Sequence, residues 1–360
     1  MNRRTIHILM ILIILIINLL VPMKNFAEGE LNIKAKSAIL MDYNTRKVIY
    51  EQNPNEKLYP ASLTKIATAI YAIENGDLDS MVTVSENAYG TIGSSVFLEE
   101  GEKHTLKQLI IGLLVNSGND AGVAIAEHLS GDVETFSEDL NEYLESNIGV
   151  KNTHFTNPHG LYDANHYTTA EDLAMITQYA MKNKVFREIF GITEMDWDGE
   201  KWDTTLYTHH KLLREMPYPG VNGGKTGYIE EAGFTLATTA TRGNLNLIVI
   251  TLDAEVQDIP YQDTVALLDY GFNHFIRSGN KVTTLDDSDI ELGKLTNINH
   301  VLFNDKELAS FNIQRDLEIS EQGRIAQMKQ NSVPTSFLDV LIIAVVLIIG
   351  WRIFHYRKKR

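Results

Sequence analysis

Cysteine is absent from the 360 residues of this chain. That excludes disulfides, thiol nucleophiles and cysteine-ligated metal, so the core must hold together by packing. Positive charge is scarce too: residues 28 to 336 carry 24 Lys and Arg against 46 Asp and Glu, a formal charge of −22. A surface this acidic gives nucleic acid no electrostatic foothold. Of the 11 histidines, His154, His159, His166, His209 and His210 crowd the middle of the chain. None shows H-E-x-x-H or comparable ligand spacing, so they read as loop and lobe histidines, and no metal or cofactor is expected. No internal repeat and no low-complexity tract occurs between the two apolar ends. The acidic stretch Glu138-Asp139-Leu140-Asn141-Glu142 reads as the solvated face of an amphipathic helix.

The two ends stand apart from the rest. Arg3 and Arg4 precede an apolar run from Ile6 to Val21, and small Ala27 follows it, the pattern of a secretory signal over residues 1–27. Phe337 to Ile349 is almost continuous Leu, Ile, Val and Ala, extended by Trp351, Ile353 and Phe354. Residues 337–355 therefore read as one membrane span. The basic tail 356–360 belongs on the cytoplasmic side, which puts everything before the span on the outer face of the cytoplasmic membrane. With 44% hydrophobic and 22% charged residues, the chain between suffices for one large domain and something smaller.

Within that chain, Ser37–Asp42 and Lys47–Glu51 flank the turn Asn44-Thr45-Arg46 and predict a hairpin. From Leu78 to Gly220 the pattern is mostly helical, with amphipathic runs at Leu106 to Val115, Ala121 to Leu129, Phe136 to Ser146 and Ala170 to Met181. Strand signals return at Phe234–Thr238 and Leu245–Ile250 around Arg242-Gly243-Asn244. A helix from about Tyr261 to Phe275 follows, with Val265, Leu268, Phe272 and Phe275 in one stripe. The expectation is an α/β domain over 32–277: a sheet built from the two ends, flanked by helices, with a helical lobe inserted between and a cleft where they meet. Short alternating segments such as His300–Phe303 and Ser310–Ile313 predict a small β-rich module over 281–331.

Three short motifs carry the chemistry. Tyr59-Pro60-Ala61-Ser62-Leu63-Thr64-Lys65 sits at the start of a helix that is apolar almost all round (Leu63, Ile66, Ala67, Ala69, Ile70, Ala72, Ile73) and ends at Gly76. Positions i and i+3 share a face, so Lys65 lies one turn below the Ser62 hydroxyl. A desolvated lysine with a second cation nearby favours its neutral form and can take a hydroxyl proton. The spacing alone proves little, since a serine at a helix start is commonly an N-cap, and Ser278-Gly279-Asn280-Lys281 repeats the pattern in what reads as a polar turn. Asn116-Ser117-Gly118-Asn119-Asp120 lies between two helical runs, where a loop can aim side chains into a cleft. Gly223-Gly224-Lys225-Thr226-Gly227 directly precedes a strand; its glycines allow close backbone approach, and Lys225 with Thr226 suits a substrate carboxylate.

The order of S-x-x-K, S-x-N and K-T-G at 62, 117 and 225 resembles the signature of penicillin-binding proteins and class A β-lactamases. The blocks Pro60–Lys65, Ser117–Ala121, Asn157-Pro158-His159-Gly160-Leu161 and Lys225–Tyr228 with Ala232-Gly233 resemble one family, the serine D-alanyl-D-alanine carboxypeptidases of the low-molecular-mass penicillin-binding proteins. The likeness runs from about residue 34 to 277; Ile229 departs from it, the family usually having Thr there. The resemblance implies a β-lactamase/transpeptidase-like fold and catalysis by Ser62, Lys65 and Ser117. It implies substrate binding by Asn119, Lys225, Thr226, Gly227 and Tyr228, with Ser117 relaying a proton to the leaving amine and Asn119 orienting Lys65 and the substrate amide. The backbone N–H groups of Ser62 and Tyr228 would form the oxyanion hole. The expected partners are peptidoglycan stem peptides ending in D-Ala-D-Ala and β-lactam antibiotics. Two other readings stand beside it: a class A-like β-lactamase, disfavoured because Ser137 occupies the position of the deacylating Glu before Leu140-Asn141, and a wall-binding membrane protein without chemistry.

Overall fold

The computed structural model describes residues 31–200 and 203–284. The signal segment, the membrane span, the basic tail and all of the 281–331 module beyond Thr284 lie outside the described residues. Among the described residues, no helix is long and apolar enough to cross a membrane.

The chain opens with β1 (Ser37–Asp42) and β2 (Val48–Gln52), the expected hairpin, and passes through a single 3₁₀ turn at Ala61–Leu63 into α1 (Thr64–Asn75). The lobe follows: β3 (Met81–Thr83), α2 (Glu86–Tyr89), β4 (Lys103–Thr105), α3 (Leu106–Val115), α4 (Asn119–Ser130), α5 (Val133–Tyr143), α6 (Ala170–Ala180) and α7 (Lys184–Phe190). Local chemistry sets these starts. Thr105 and Gln108 form a reciprocal capping box at α3, and Asp132, Thr169 and Asn183 accept backbone N–H bonds at the starts of α5, α6 and α7. The mostly helical expectation for this stretch missed a hairpin, β5 (Glu194–Asp198) with β6 (Asp203–Tyr207). Its alternation of Met195 and Trp197 with acidic residues is a strand signal, and Trp197 packs against Gly112 of α3.

The chain then returns to the sheet through β7 (Val221–Ile229), β8 (Gly233–Arg242) and β9 (Leu245–Ala254), and ends in α8 (Ile259–His274) and the hairpin β10 (Phe275–Ser278) with β11 (Lys281–Thr284). That hairpin straddles the domain boundary expected between 277 and 281, and the second S-x-x-K copy forms its turn. The main sheet has the order β2-β1-β9-β8-β7, antiparallel throughout. It is therefore built from the two ends of the domain, with the lobe inserted between.

Both faces of the sheet are covered, so the alternate residues of β1 and β9 divide between two cores. Ile39, Met41, Ile248, Ile250 and Leu252 face the lobe, with α1, α3, α4 and α6 behind them. Ala38, Leu40, Leu247 and Val249 face Leu267 and Leu268 of α8. Val265 belongs instead with Leu212, Leu236 and Tyr261, so the α8 contact is narrower than the four-residue stripe suggests. Each fully buried Leu or Ile contributes about 1.5–3 kcal/mol, and the two sandwiched central strands form a rigid base for the edge strand β7.

Candidate active site

Ser62 occupies the 3₁₀ turn rather than α1 itself, and it is half-buried and reachable while Ala61 and Leu63 on either side are fully covered. Lys65 lies in the first turn of α1, a helix buried on nearly every side, and is fully buried. Its Nζ is 2.9 Å from Ser62 Oγ, 2.7 Å from Asn119 Oδ1 and 2.7 Å from the His159 carbonyl oxygen. The last two atoms only accept. A neutral amine has two hydrogens, and giving them to Asn119 and His159 leaves its lone pair for the Ser62 hydroxyl. Burial holds the Lys65 pKa well below its ordinary 10.5, helped by the charge of Lys225 and opposed by that of Asp120.

The other side of the cleft starts where α3 ends. Ser117 takes a left-handed backbone, φ 62°, and is nearly fully buried. Its Oγ accepts a hydrogen bond of 3.0 Å from Lys225 Nζ. Asn119 begins α4; its Oδ1 holds Lys65 while its Nδ2 donates to the Ile92 carbonyl at 2.8 Å. Both ends of its amide thus have a protein partner, and one N–H of Nδ2 and one lone pair of Oδ1 remain for a ligand. Asp120 ties down the adjacent loop by accepting from Ser95 Oγ and from the N–H groups of Val96 and Leu98.

The Gly223–Gly227 motif precedes β8, as expected, and itself lies within edge strand β7. Lys225 pairs with Ala237 and Gly227 with Thr235 across the β7–β8 ladder. Lys225 is buried, and desolvation brings its pKa from 10.5 to about 7. Its two contacts, Ser117 Oγ and the Thr226 carbonyl, are neutral. Gly227 permits a close crossing: a Cβ there would stand 2.4 Å from Thr235 Oγ1 and 2.9 Å from Ser62 N. Thr226 is half-buried and Tyr228 exposed, its ring stacked on Phe234 with centroids 4.4 Å apart.

The structure thus gathers Ser62 and Asn119 around the Lys65 amine, joins Ser117 to Lys225, and lays Gly227 against the Ser62 backbone. His159, in the Asn157–Leu161 block, contributes its carbonyl, which leaves no side-chain signal in the sequence. Asn157 shapes that loop: its Oδ1 accepts from the N–H groups of His159 and Gly160. Thr68 Oγ1 pins it to α1 by donating to the Pro158 carbonyl at 2.7 Å. His159, His166 and His210 are all held neutral, with pKa values lowered to about 3 by burial. Ser137 faces its own helix, donating to the Val133 carbonyl at 2.8 Å.

Set beside known proteins, residues 24–256 match the family described as D-alanyl-D-alanine carboxypeptidase. The D-alanyl-D-alanine carboxypeptidase DacF of Bacillus subtilis (strain 168) is 36% identical over 252 residues, covering 69% of this chain and 64% of that protein. The chain therefore spans a little under two thirds of that relative's length. The D-alanyl-D-alanine carboxypeptidase DacA of Escherichia coli (strain K12) is 31% identical over 334 residues, 87% of this chain and 77% of its own length. Among solved structures, penicillin binding protein 5 from Haemophilus influenzae superposes with a TM-score of 0.62 at 34% identity, over 68% of this chain and 72% of that one. The α/β architecture with its antiparallel sheet is accordingly the penicillin-binding, transpeptidase-like fold. By the matched residues and the shared identity, this chain belongs to the D-alanyl-D-alanine carboxypeptidase family.

Proposed function

We propose that this protein is a serine D-alanyl-D-alanine carboxypeptidase that removes the terminal D-alanine from peptidoglycan stem peptides and is acylated by β-lactams. The observation that carries the proposal is the trio of Lys65 contacts, two acceptors and the Ser62 hydroxyl, around an amine whose burial favours the neutral form. Ser62 Oγ attacks the carbonyl carbon of the penultimate D-alanine as its proton passes to Lys65. The N–H groups of Ser62 and Tyr228 receive the negative charge that develops on the carbonyl oxygen. The C–N bond breaks as Ser117 passes a proton to the departing nitrogen and takes one in turn from Lys65, which becomes neutral again. Water then cleaves the ester, with Lys65 again taking the proton and Ser62 regaining its own. Until that D-alanine leaves, Lys225 and Thr226 hold its terminal carboxylate.

A β-lactamase reading has less support, because the buried Ser137 offers no carboxylate to activate water. The test is release of D-alanine from a soluble peptide ending in D-Ala-D-Ala, with mass spectrometry of the penicillin-treated protein. The expected result is turnover that Ser62→Ala abolishes and a penicilloyl adduct on Ser62. An adduct on any other residue, or turnover that survives Ser62→Ala, overturns the assignment.

The same proposal includes the arrangement around the catalytic domain 32–277. Residues 1–27 export the chain, and 337–355 anchor it as a single span with the basic tail 356–360 in the cytoplasm. The module over 281–331 holds the catalytic domain outside the cytoplasmic membrane, near its substrate. Its supports are Arg3 and Arg4 before the first apolar run and Arg357-Lys358-Lys359-Arg360 after the last. Reactivity of the folded domain toward a protease added outside intact cells, with the tail protected, is the expected topology; a protected domain refutes it.

A further inference from the structure

The His166 and Thr64 side chains form a directed chain of hydrogen bonds that ends behind the Ser62 peptide group. His166 is buried, with its ring stacked on Phe155 at a centroid distance of 4.9 Å. The Thr156 backbone N–H donates to His166 Nδ1 at 3.0 Å, so the proton of this neutral ring sits on Nε2. Nε2 is 2.8 Å from Thr64 Oγ1, a fully buried hydroxyl, and donates to it. Thr64 has its own hydrogen left and gives it to the Ala61 carbonyl oxygen at 2.9 Å. Every bond in the series therefore points the same way.

The end of the series matters because of where the Ala61 carbonyl sits. A trans peptide unit is planar, so its C=O and N–H point in opposite directions, and fixing the Ala61 oxygen fixes the direction of the Ser62 N–H. Ala61 adopts a left-handed φ of 49° that a residue with a Cβ adopts only under constraint. Gly160 presses on the same carbonyl: a Cβ there would lie 1.8 Å from the Ala61 oxygen and 2.9 Å from Thr64 Oγ1. On the opposite side, Ser62 N faces the gap left by Gly227, where Thr235 Oγ1 also braces the turn by donating to the Pro60 carbonyl at 3.0 Å.

Resting on the proposed acyl-transfer reaction, we infer that His166 and Thr64 are positioning residues that aim and polarise the Ser62 N–H as an oxyanion donor. A hydrogen bond donated to the carbonyl of an amide draws charge from its nitrogen, and bonds in series strengthen one another, by perhaps 10–30% each. The expected loss on breaking the series is about ten- to a hundredfold in kcat, below or near the loss for deleting an oxyanion donor outright.

The test uses the full chain with Thr64→Val, which keeps shape and removes the hydroxyl, and His166→Phe, which keeps the stack and removes both nitrogens. Each is measured for kcat and KM on a D-Ala-D-Ala peptide and for affinity toward a peptide boronic acid, whose tetrahedral adduct places an oxygen where the oxyanion forms. The expected outcome is a lower kcat with KM nearly unchanged, and a boronate affinity that falls by the same factor as kcat/KM. The pH at which the acylation rate rises stays where it is in the wild type, because Lys65 is untouched. Thr64→Ser, which retains the hydroxyl, restores all three. A kcat loss with undiminished boronate affinity, a displaced pH profile, or failure of a folded Thr64→Ser to restore activity would each overturn the inference. If one variant does not fold, the other carries the comparison. A wild type that neither releases D-alanine nor takes penicillin would overturn the reaction itself, whereas normal wild-type turnover with unaltered variants would overturn only the positioning role.

Discussion

The binding of substrate should be accompanied by uptake of a proton at Lys225. Burial lowers its pKa from 10.5 to about 7, and the groups it touches, a hydroxyl and a carbonyl, are neutral. At 1.36 kcal/mol per pH unit, that shift means burial disfavours the charged form by roughly 5 kcal/mol. A carboxylate about 4 Å away at an effective dielectric of 20 returns ~4 kcal/mol, enough to lift the pKa by about three units, to about 10. At pH 8 the free protein then carries charge on about a tenth of its Lys225 side chains and the complex on nearly all, an uptake of about 0.9 proton per peptide bound. At pH 6 the site is already charged and uptake falls to about 0.1. The Ser62→Ala variant, which binds without turnover, permits the measurement by titration calorimetry in two buffers of different ionisation enthalpy. Affinity for the peptide should fall about tenfold per pH unit above 7. A C-terminally amidated peptide, and Lys225→Met with the normal peptide, should both bind without the uptake. Binding at pH 8 with less than about 0.2 proton taken up, or equal uptake with the amidated peptide, would refute the reasoning.

The same shift makes Lys225 a cost to stability. Folding lowers its pKa, so between pH 7 and 10.5 the unfolded chain binds more protons and the penalty fades as pH rises; Lys225→Met should raise Tm at pH 6 and do so less at pH 10, in thermal melts. Gly160→Ala, which drives a Cβ into the Ala61 carbonyl from a backbone φ of 87°, should cost at least about 3 kcal/mol in denaturant unfolding. A fragment of residues 28–286, which keeps the β10–β11 hairpin and the Lys47 Nζ bond to the Val282 carbonyl, should retain turnover on soluble peptide. Loss of activity in such a folded fragment contradicts a purely positional role for the rest.

The parts of the fold legible in the sequence were those in which one period dominates. Ser37–Asp42 and Leu245–Ile250 are strands because they are apolar and bounded by turn residues. The i, i+3 relation of Ser62 and Lys65 survives the small change from helix to 3₁₀ turn, since both geometries stack those positions. What stayed hidden was imposed by tertiary contact. Val221–Ile229 holds three glycines and no alternation, so local propensity argues against a strand. Pairing with β8 makes it one, and Gly224 is required there because a Cβ would stand 2.3 Å from the buried His210 ring. The left-handed Ala61 and Ser117 carry no glycine to announce them. His166 has no metal-ligand spacing in the sequence, and the absence of such spacing says nothing about a hydrogen-bond chain.

Positive φ at non-glycine residues connects these hidden features to the chemistry. Ala61 at 49° and Ser117 at 62° stand on opposite walls of the cleft, each adjoining a helix end, and such conformations cost about 1–2 kcal/mol each. Relaxing Ala61 would swing the Ser62 N–H; relaxing Ser117 would carry its hydroxyl away from Lys225. Neither can relax alone, because Thr64 and Gly160 hold the first while Asn119 and Asp120, just past the second, are bonded to Lys65 and to the Ser95–Leu98 loop. Lys65 links the two walls through the same three bonds that leave its lone pair on Ser62. The strained residues are thus fixed from both sides by buried hydrogen bonds, and the geometry that the proposed reaction asks of the Ser62 N–H and the Ser117 hydroxyl is in place before substrate arrives.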